Sequence, residues 1–573
     1  MVHSLYFSMF LVGFIFLFFF LLILQVLAWK NKWTGVLGGV FGVYKLVLVG
    51  MLIFVELFFV NLGGFGVNLF FEMNLWFNLG PYFCLDLFSC IFFVSAGIVS
   101  WSIMQFGIDY MTDESGVGNF LFYLLIFLLL MFVLVFSGNF LMLFVGWEGV
   151  GLLSFLLISW WGGRYEASSG CFQAVYYNRV GDAGLLMFLV LSLVLGNGLM
   201  IVNNFMLSSF FFLFVLGVVS KSSQLVFHPW LPNAMEGPTP VSSLLHSSTM
   251  VMAGVFLMMR SLDFFEFKNM IYLLGMLTCI LGGFLGMNHM DFKKVVAYST
   301  TSQLGFMMMV LGAGWSWLCL LYMMIHAFFK AMIFMMSGVV IHMSGGIQDF
   351  RHMFTSLVVN NVMFFFYFLG GVVMMGFPFL SGFWMKDIIL EGLMGSYFGF
   401  FCWSCFIISV LLTGLYSMRL YLGVFIGDLG TQHKVMLLSP LLCFLPFMRL
   451  MLGSVVFGLF IFQFCGPFSH YLLTGEDKYF ALGVFILGVL ISVILKGILK
   501  GLSYLVGGYL LFFNPVWHKM FSFVGYWYSR VVGLLDFLFM EYLFYGGVKS
   551  IWNVVVSYRF FVVFIVVVLL VLL

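Results

Sequence analysis

Apolar stretches of about 18 residues or more, each long enough to cross a bilayer as a helix, recur well over a dozen times in this 573-residue chain. Hydrophobic residues make up 64% of the sequence, aromatic residues 21% and charged residues only 8%, with a mean hydropathy of +1.18. Soluble domains carry roughly 25% charged residues. The formal net charge of +2 excludes a nucleic-acid surface, because 23 scattered lysines and arginines do not form the dense basic field that phosphates demand. A membrane β-barrel is excluded as well. Barrel strands alternate apolar with polar residues, whereas these segments are apolar on all sides.

The pattern predicts an all-α integral membrane protein of about 16 transmembrane helices. Spans are expected near 5–28, 36–60, 84–106, 119–137, 139–160, 170–195, 208–226, 240–260, 270–288, 294–312, 316–342, 359–390 with a break, 400–425, 436–464, 479–502 and 557–573. The first stretch has neither a basic lead-in nor a small-residue cleavage site, so it is expected to remain as a span. A long aromatic segment with isolated charges precedes the last span and reads as a helix lying along other helices. Four regions follow: 1–110 as N-terminal helices, 111–430 as a core, 431–505 as additional helices, and 506–573 as a lateral helix with a terminal anchor. Phe (79), Gly (63) and Met (41) are abundant while Pro (10) is scarce, a bias that suggests an organellar gene.

Nine cysteines are scattered through apolar text as small core residues. The one C-x-x-C, Cys402 and Cys405, lacks the second pair or nearby histidines of a zinc or iron-sulfur site. Glycine clusters such as "LGGFLGMN" sit in apolar surroundings, where close helix packing explains them better than a nucleotide loop.

Four prolines (Pro229, Pro232, Pro238 and Pro240) fall just after Lys221, so a buried cation meets a broken helix there. The pattern repeats where Gly376, Pro378 and Gly382 interrupt a span before Lys386 and Asp387. Paired interrupted helices point to inverted repeats with sites near the midplane.

Ionisable residues inside spans are the functional candidates, since each costs about 2.5–3.5 kcal/mol at a helix centre. Glu148 is flanked by glycines that allow close approach of a helix or water. Asp182 follows Arg179 by one helical turn, so a local ion pair competes with a functional role. For His228, beside Pro229, a structural and a functional role stand open together. His246 is flanked by serines able to hydrogen-bond an imidazole. His326 and Lys330 lie four apart on one helical face, placed to exchange a proton directly or through one water. Dryness favours a neutral lysine and a nearby carboxylate a charged one, so a movable partner can switch it: the chemistry of a proton relay.

These residues also carry a resemblance. The segment "SKSSQLVFHPWLPNAMEGPTPVSSLLHSSTMVMAGVFLMMR" is similar to the family of subunit 5 of respiratory NADH:ubiquinone oxidoreductase, complex I. "WEGVGLLSFLLISWW", "NRVGDAG", "DFKKVVAYSTTSQLGFM", "HAFFKAMIFMMSG" and "GFPFLSGFWMKD" resemble that family's segments in the same order, over about residues 139–390. The ends resemble it in length and hydropathy only. The resemblance implies an antiporter-like bundle with two inverted repeats in 111–430, a long lateral helix and a terminal anchor, in a proton-pumping membrane arm of the mitochondrial inner membrane. By position, Glu148 and Lys221 would form the first half-channel pair with Asp182 near Lys221. His246 and Lys330 would connect onward, and Lys386 would be the exit-side lysine. NADH, FMN, iron-sulfur clusters and ubiquinone would belong to other subunits, with no cofactor in this chain. Its partners would be other membrane-arm subunits, especially another antiporter-like one, and membrane lipids. A subunit of a stand-alone cation/proton antiporter, whose related core shares the lysine and glutamate pattern, is the competing reading. A purely structural scaffold is a third, which the number of buried ionisable groups argues against.

Overall fold

The computed structural model describes residues 69–72, 82–111, 114, 116–194, 211–262, 268–349, 361–377, 380–394, 399–425 and 440–465, and single positions at 483, 486–488, 490, 523, 526 and 530. Contacts divide the chain into two units, Met1–Leu505 and Val506–Leu573. The spans expected at 5–28, 36–60 and 557–573 lie outside the described residues, as does nearly all of 479–502 and of the lateral segment.

Thirteen helices are used below. They are α1 (Leu87–Tyr110), α2 (Val117–Phe136), α3 (Phe140–Ile158), α4 (Tyr165–Val194) and α5 (Phe211–Lys221). They continue with α6 (Thr239–Ser261), α7 (Lys268–Asn288), α8 (Phe292–Gly312) and α9 (Ser316–Met343). Finally come α10 (Asn361–Met375), α11 (Ser381–Met394), α12 (Gly399–Phe425) and α13 (Pro440–Cys465). Eight helices among the described residues are long and apolar enough to cross a membrane. The one β element there is a two-stranded antiparallel ribbon, β1 (Leu69–Glu72) with β2 (Tyr82–Leu85), in which Leu69 faces Leu85.

The expected breaks are present. The helix of Lys221 stops at that residue, and the chain returns through a short turn, Trp230–Asn233, before α6 begins at Thr239. Proline supplies no amide proton and clashes with the preceding turn, which is why the four-proline stretch cannot continue α5. The second break separates α10 from α11, where Gly376 has φ +89°, a conformation that a side chain would strain. "LGGFLGMN" also behaves as packing text. A Cβ at Gly282 would lie 2.9 Å from the Ser302 amide nitrogen of α8, so α7 and α8 approach closely.

Helices α6 and α9 are buried along their whole apolar windows and α8 nearly so, which makes these three the axis of the bundle. At one end Arg260 closes the fold. Its guanidinium lies 2.8 Å from Asp86 and donates to the Ser137 carbonyl at 2.8 Å, tying α6 to the start of α1 and the end of α2. Its side chain is 9% exposed. Removing one partner of such a pair leaves a charge without compensation, so Arg260→Met is expected to cost about 3 kcal/mol and lower the melting temperature of the assembled protein. An unchanged melting curve would show the clamp to be dispensable.

Candidate functional site

The first cluster forms where α3, α4 and α5 meet. Arg179 Nη1 lies 2.8 Å from both carboxylate oxygens of Glu148 and 3.9 Å from Asp182. The local Arg179–Asp182 pairing expected from sequence is therefore the looser of two contacts, and Glu148 finds its cation on α4. Arg179 is half-exposed while Asp182 is buried. Lys221, 1% exposed, sits over the Trp147 ring with its ammonium 4.1 Å from the ring centre and donates to the Trp147 carbonyl. Trp147 Nε1 in turn donates to Asp182 Oδ1 at 2.8 Å. Lys221 is within electrostatic reach of Asp182 and Glu148, yet it makes no ion pair within 4.0 Å among the described residues. A tryptophan stands between the lysine and its carboxylates.

Trp230, on the short turn after the break, donates its indole N–H to the Ser220 carbonyl at 3.0 Å and presents its ring to His246 with centroids 5.7 Å apart. The backbone around His246, Ser242–Thr249, is a π-helix. That geometry displaces the regular amide-to-carbonyl ladder, and the serines expected to serve the imidazole serve the backbone instead. Ser248 donates to the Leu244 carbonyl at 2.9 Å, Thr249 to the same carbonyl at 2.7 Å, and Ser247 to that of Ser243. Neither nitrogen of His246 has a hydrogen-bond partner among the described residues.

The second cluster lies on the axis. His326 and Lys330 share one face of α9, as expected, but they do not bond to each other. Neither nitrogen of His326 has a hydrogen-bond partner among the described residues, and the imidazole lies near the Ser247 backbone where α9 packs against the π-helix of α6. Lys330 donates to Ser299 Oγ at 2.5 Å and to Met374 Sδ at 3.1 Å. Lys386 sits across the second break. It donates to the carbonyls of Met374 (3.0 Å) and Met375 (2.9 Å) and to Thr413 Oγ1 (2.9 Å).

Residues 137–459 match the family described as NADH:quinone oxidoreductase/Mrp antiporter, transmembrane. The chain belongs to that family. Among curated relatives, "NADH-ubiquinone oxidoreductase chain 5" of Pongo abelii is 41% identical over 421 residues, covering 71% of this chain and 70% of the relative. The chain 5 protein of Branchiostoma lanceolatum is 40% identical over 433 residues, covering 73% and 69%. Among solved structures, a chain of the Mrp complex from Dietzia sp. DQ12-45-1b superposes with a TM-score of 0.77 at 22% identity. That superposition covers 91% of this chain, which spans 60% of the Dietzia chain's length. At that identity the likeness concerns the fold.

Within this antiporter-family bundle, Arg179, read from sequence as a partner of Asp182, pairs more closely with Glu148, and several holding side chains escaped notice: Trp147 and Trp230 beside Lys221, and Ser299, Met374 and Thr413 around the later lysines. Buried Lys293 was also missed. It donates to the Gly237 carbonyl at 3.1 Å, while Lys294 bridges Glu236 and Asp291, each at 3.1 Å. The doubled lysine of "DFKK" at the start of a span was the one available signal, and these two residues pin the end of the first broken segment to α8.

Proposed function

We infer that this chain is the antiporter-like subunit 5 of the membrane arm of NADH:ubiquinone oxidoreductase, a multi-pass protein of the mitochondrial inner membrane. It moves protons while quinone is reduced elsewhere in the complex. The observation that carries the assignment is the roughly 40% identity to chain 5 proteins over about seven-tenths of both chains. FMN, iron-sulfur clusters and the NADH and ubiquinone sites belong, in this reading, to other subunits. Another antiporter-like subunit is the neighbour proposed for it.

The relay assigned to this chain runs Glu148–Asp182–Lys221–His246–His326–Lys330–Lys386. Its support is the coincidence of buried ionisable groups with the fully buried axis helices and the two breaks. Arg179 competes with Lys221 for the first carboxylates, so loading can begin when that competition changes. Both nitrogens of His246 and of His326 lack hydrogen-bond partners among the described residues, which leaves each imidazole able to accept a proton on one nitrogen and release one from the other. The stand-alone antiporter reading keeps the support of the shared family, NADH:quinone oxidoreductase/Mrp antiporter, whereas sequence identity favours chain 5.

Two measurements test the reading. Gently solubilised membranes, resolved on a native gel and stained for NADH dehydrogenase activity, should place this chain in the large active band by mass spectrometry. Its recovery only in a smaller, redox-inactive assembly would overturn the assignment in favour of the antiporter. In the assembled complex, Glu148→Gln should lower NADH-driven proton pumping about tenfold or more while electron transfer to artificial acceptors persists. Normal pumping there would remove Glu148 from the relay.

A further inference from the structure

The two lysines of the second cluster are held by different chemistry. Each N–H of the Lys386 ammonium has an oxygen acceptor at 2.9–3.0 Å, two carbonyls and one hydroxyl. Lys330 has one hydroxyl at 2.5 Å and one thioether sulfur at 3.1 Å, and sulfur is a weak acceptor. That sulfur belongs to Met374, whose own carbonyl is one of the oxygens on Lys386. A single residue therefore touches both ammonium groups, one through its side chain and the other through its backbone. Met374 is 1% exposed, and leucine would fill the same volume, so packing by itself does not call for sulfur here.

The backbone explains why residue 374 is free to serve Lys386. After α10 ends, the Gly376 amide bonds back to the carbonyls of Val372 and Val373, and the Phe377 amide to that of Val372. The next two carbonyls along the helix end, those of Met374 and Met375, turn to Lys386. A helix terminus needs such partners when it is buried.

We propose that Met374 is a positioning residue for proton transfer between Lys330 and Lys386, holding both at once across the break. The proposal rests on the relay reading of those lysines. While Lys386 is an ammonium, it fixes the end of α10 and so lays the Met374 sulfur against Lys330. When Lys386 has given up its proton it donates more weakly, the helix end loosens, and Lys330 loses one of its two acceptors just as Lys386 becomes able to receive. One proton then leaves the Lys330 ammonium and one arrives on the Lys386 amine, with the charge of the pair unchanged. Met374 itself gains and loses nothing.

The test compares Met374→Leu with Met374→Gln in the full complex, with assembly checked on a native gel. Leucine keeps shape and removes the acceptor; glutamine restores an acceptor oxygen near the sulfur position. The expected result is a fall of about fivefold to tenfold in proton pumping per NADH oxidised for Met374→Leu, and recovery to within about twofold for Met374→Gln. Equal pumping by both variants at the native level, or an equal loss in both, overturns the proposal, because the sulfur contact would then carry no information. Lys330→Met and Lys386→Met, measured alongside, separate the two claims. Native pumping in those variants removes the relay reading itself, whereas their loss with a normal Met374→Leu removes only the role of Met374.

Discussion

Lys386→Met is expected to lower NADH-driven proton pumping by at least about a hundredfold while NADH oxidation by artificial acceptors stays near native. A positioned proton donor or acceptor contributes roughly 10²–10⁴-fold to the step it serves. Lys386 is 6% exposed, and among the described residues it is the one side chain that bonds both open carbonyls at the end of α10. The substitution also leaves those two carbonyls without partners, at about 1–3 kcal/mol each, so a loss of pumping could reflect a damaged break rather than a missing proton carrier. Lys386→Arg separates the two effects. Guanidinium can still donate to the carbonyls but does not release its proton, so assembly should survive and pumping should not. Native pumping in an assembled Lys386→Met complex would remove this lysine from the relay.

Gly382→Val is expected to prevent stable folding of the second break. A Cβ at this position would stand 1.9 Å from the Val373 carbonyl oxygen and 3.1 Å from its carbon, both backbone atoms that cannot swing aside. Overpacking a filled interior costs about 1–3 kcal/mol when side chains can yield, and more when backbone must move, so the loss should be about 3 kcal/mol or greater. The measure is the yield of the assembled complex on a native gel together with its thermal midpoint. Gly151→Ala is the matched control, because a Cβ there meets nothing within 4 Å, and replacing glycine in a helix should leave stability unchanged or raise it by up to about 1 kcal/mol. If Gly382→Val assembled as well as Gly151→Ala, the close packing of α11 on the end of α10 would be wrong.

Most of the helical architecture was readable because apolar length alone marks a span. The expected 316–342 and 294–312 correspond to Ser316–Met343 and Phe292–Gly312. Both breaks were readable too, since proline and glycine next to a lysine have few other uses inside a bundle. What the text concealed were the partners. Arg179 lies 31 positions from Glu148, and only the folding of α3 against α4 brings them to 2.8 Å. Ser299, Thr413 and Met374 look like ordinary helix fillers until a lysine from another helix arrives beside them. The serines around His246 misled for a different reason. Hydrogen-bonding capacity can be read from residue type, but a π-turn that spends it on backbone carbonyls has no signature in "SSLLHSST".

Helix α9 is predominantly apolar, although in the finished protein it is buried along its entire apolar window. A bundle interior would accept more polar groups than this, as α8 demonstrates with Ser299, Ser302 and Gln303. The predominance of apolar residues is understandable from membrane insertion. A helix that enters the bilayer before its neighbours surround it must be stable there, and α9 brings Lys330 and His326 with it. Its methionines, phenylalanines and isoleucines thus offset the cost of carrying Lys330 and His326 at the helix centre.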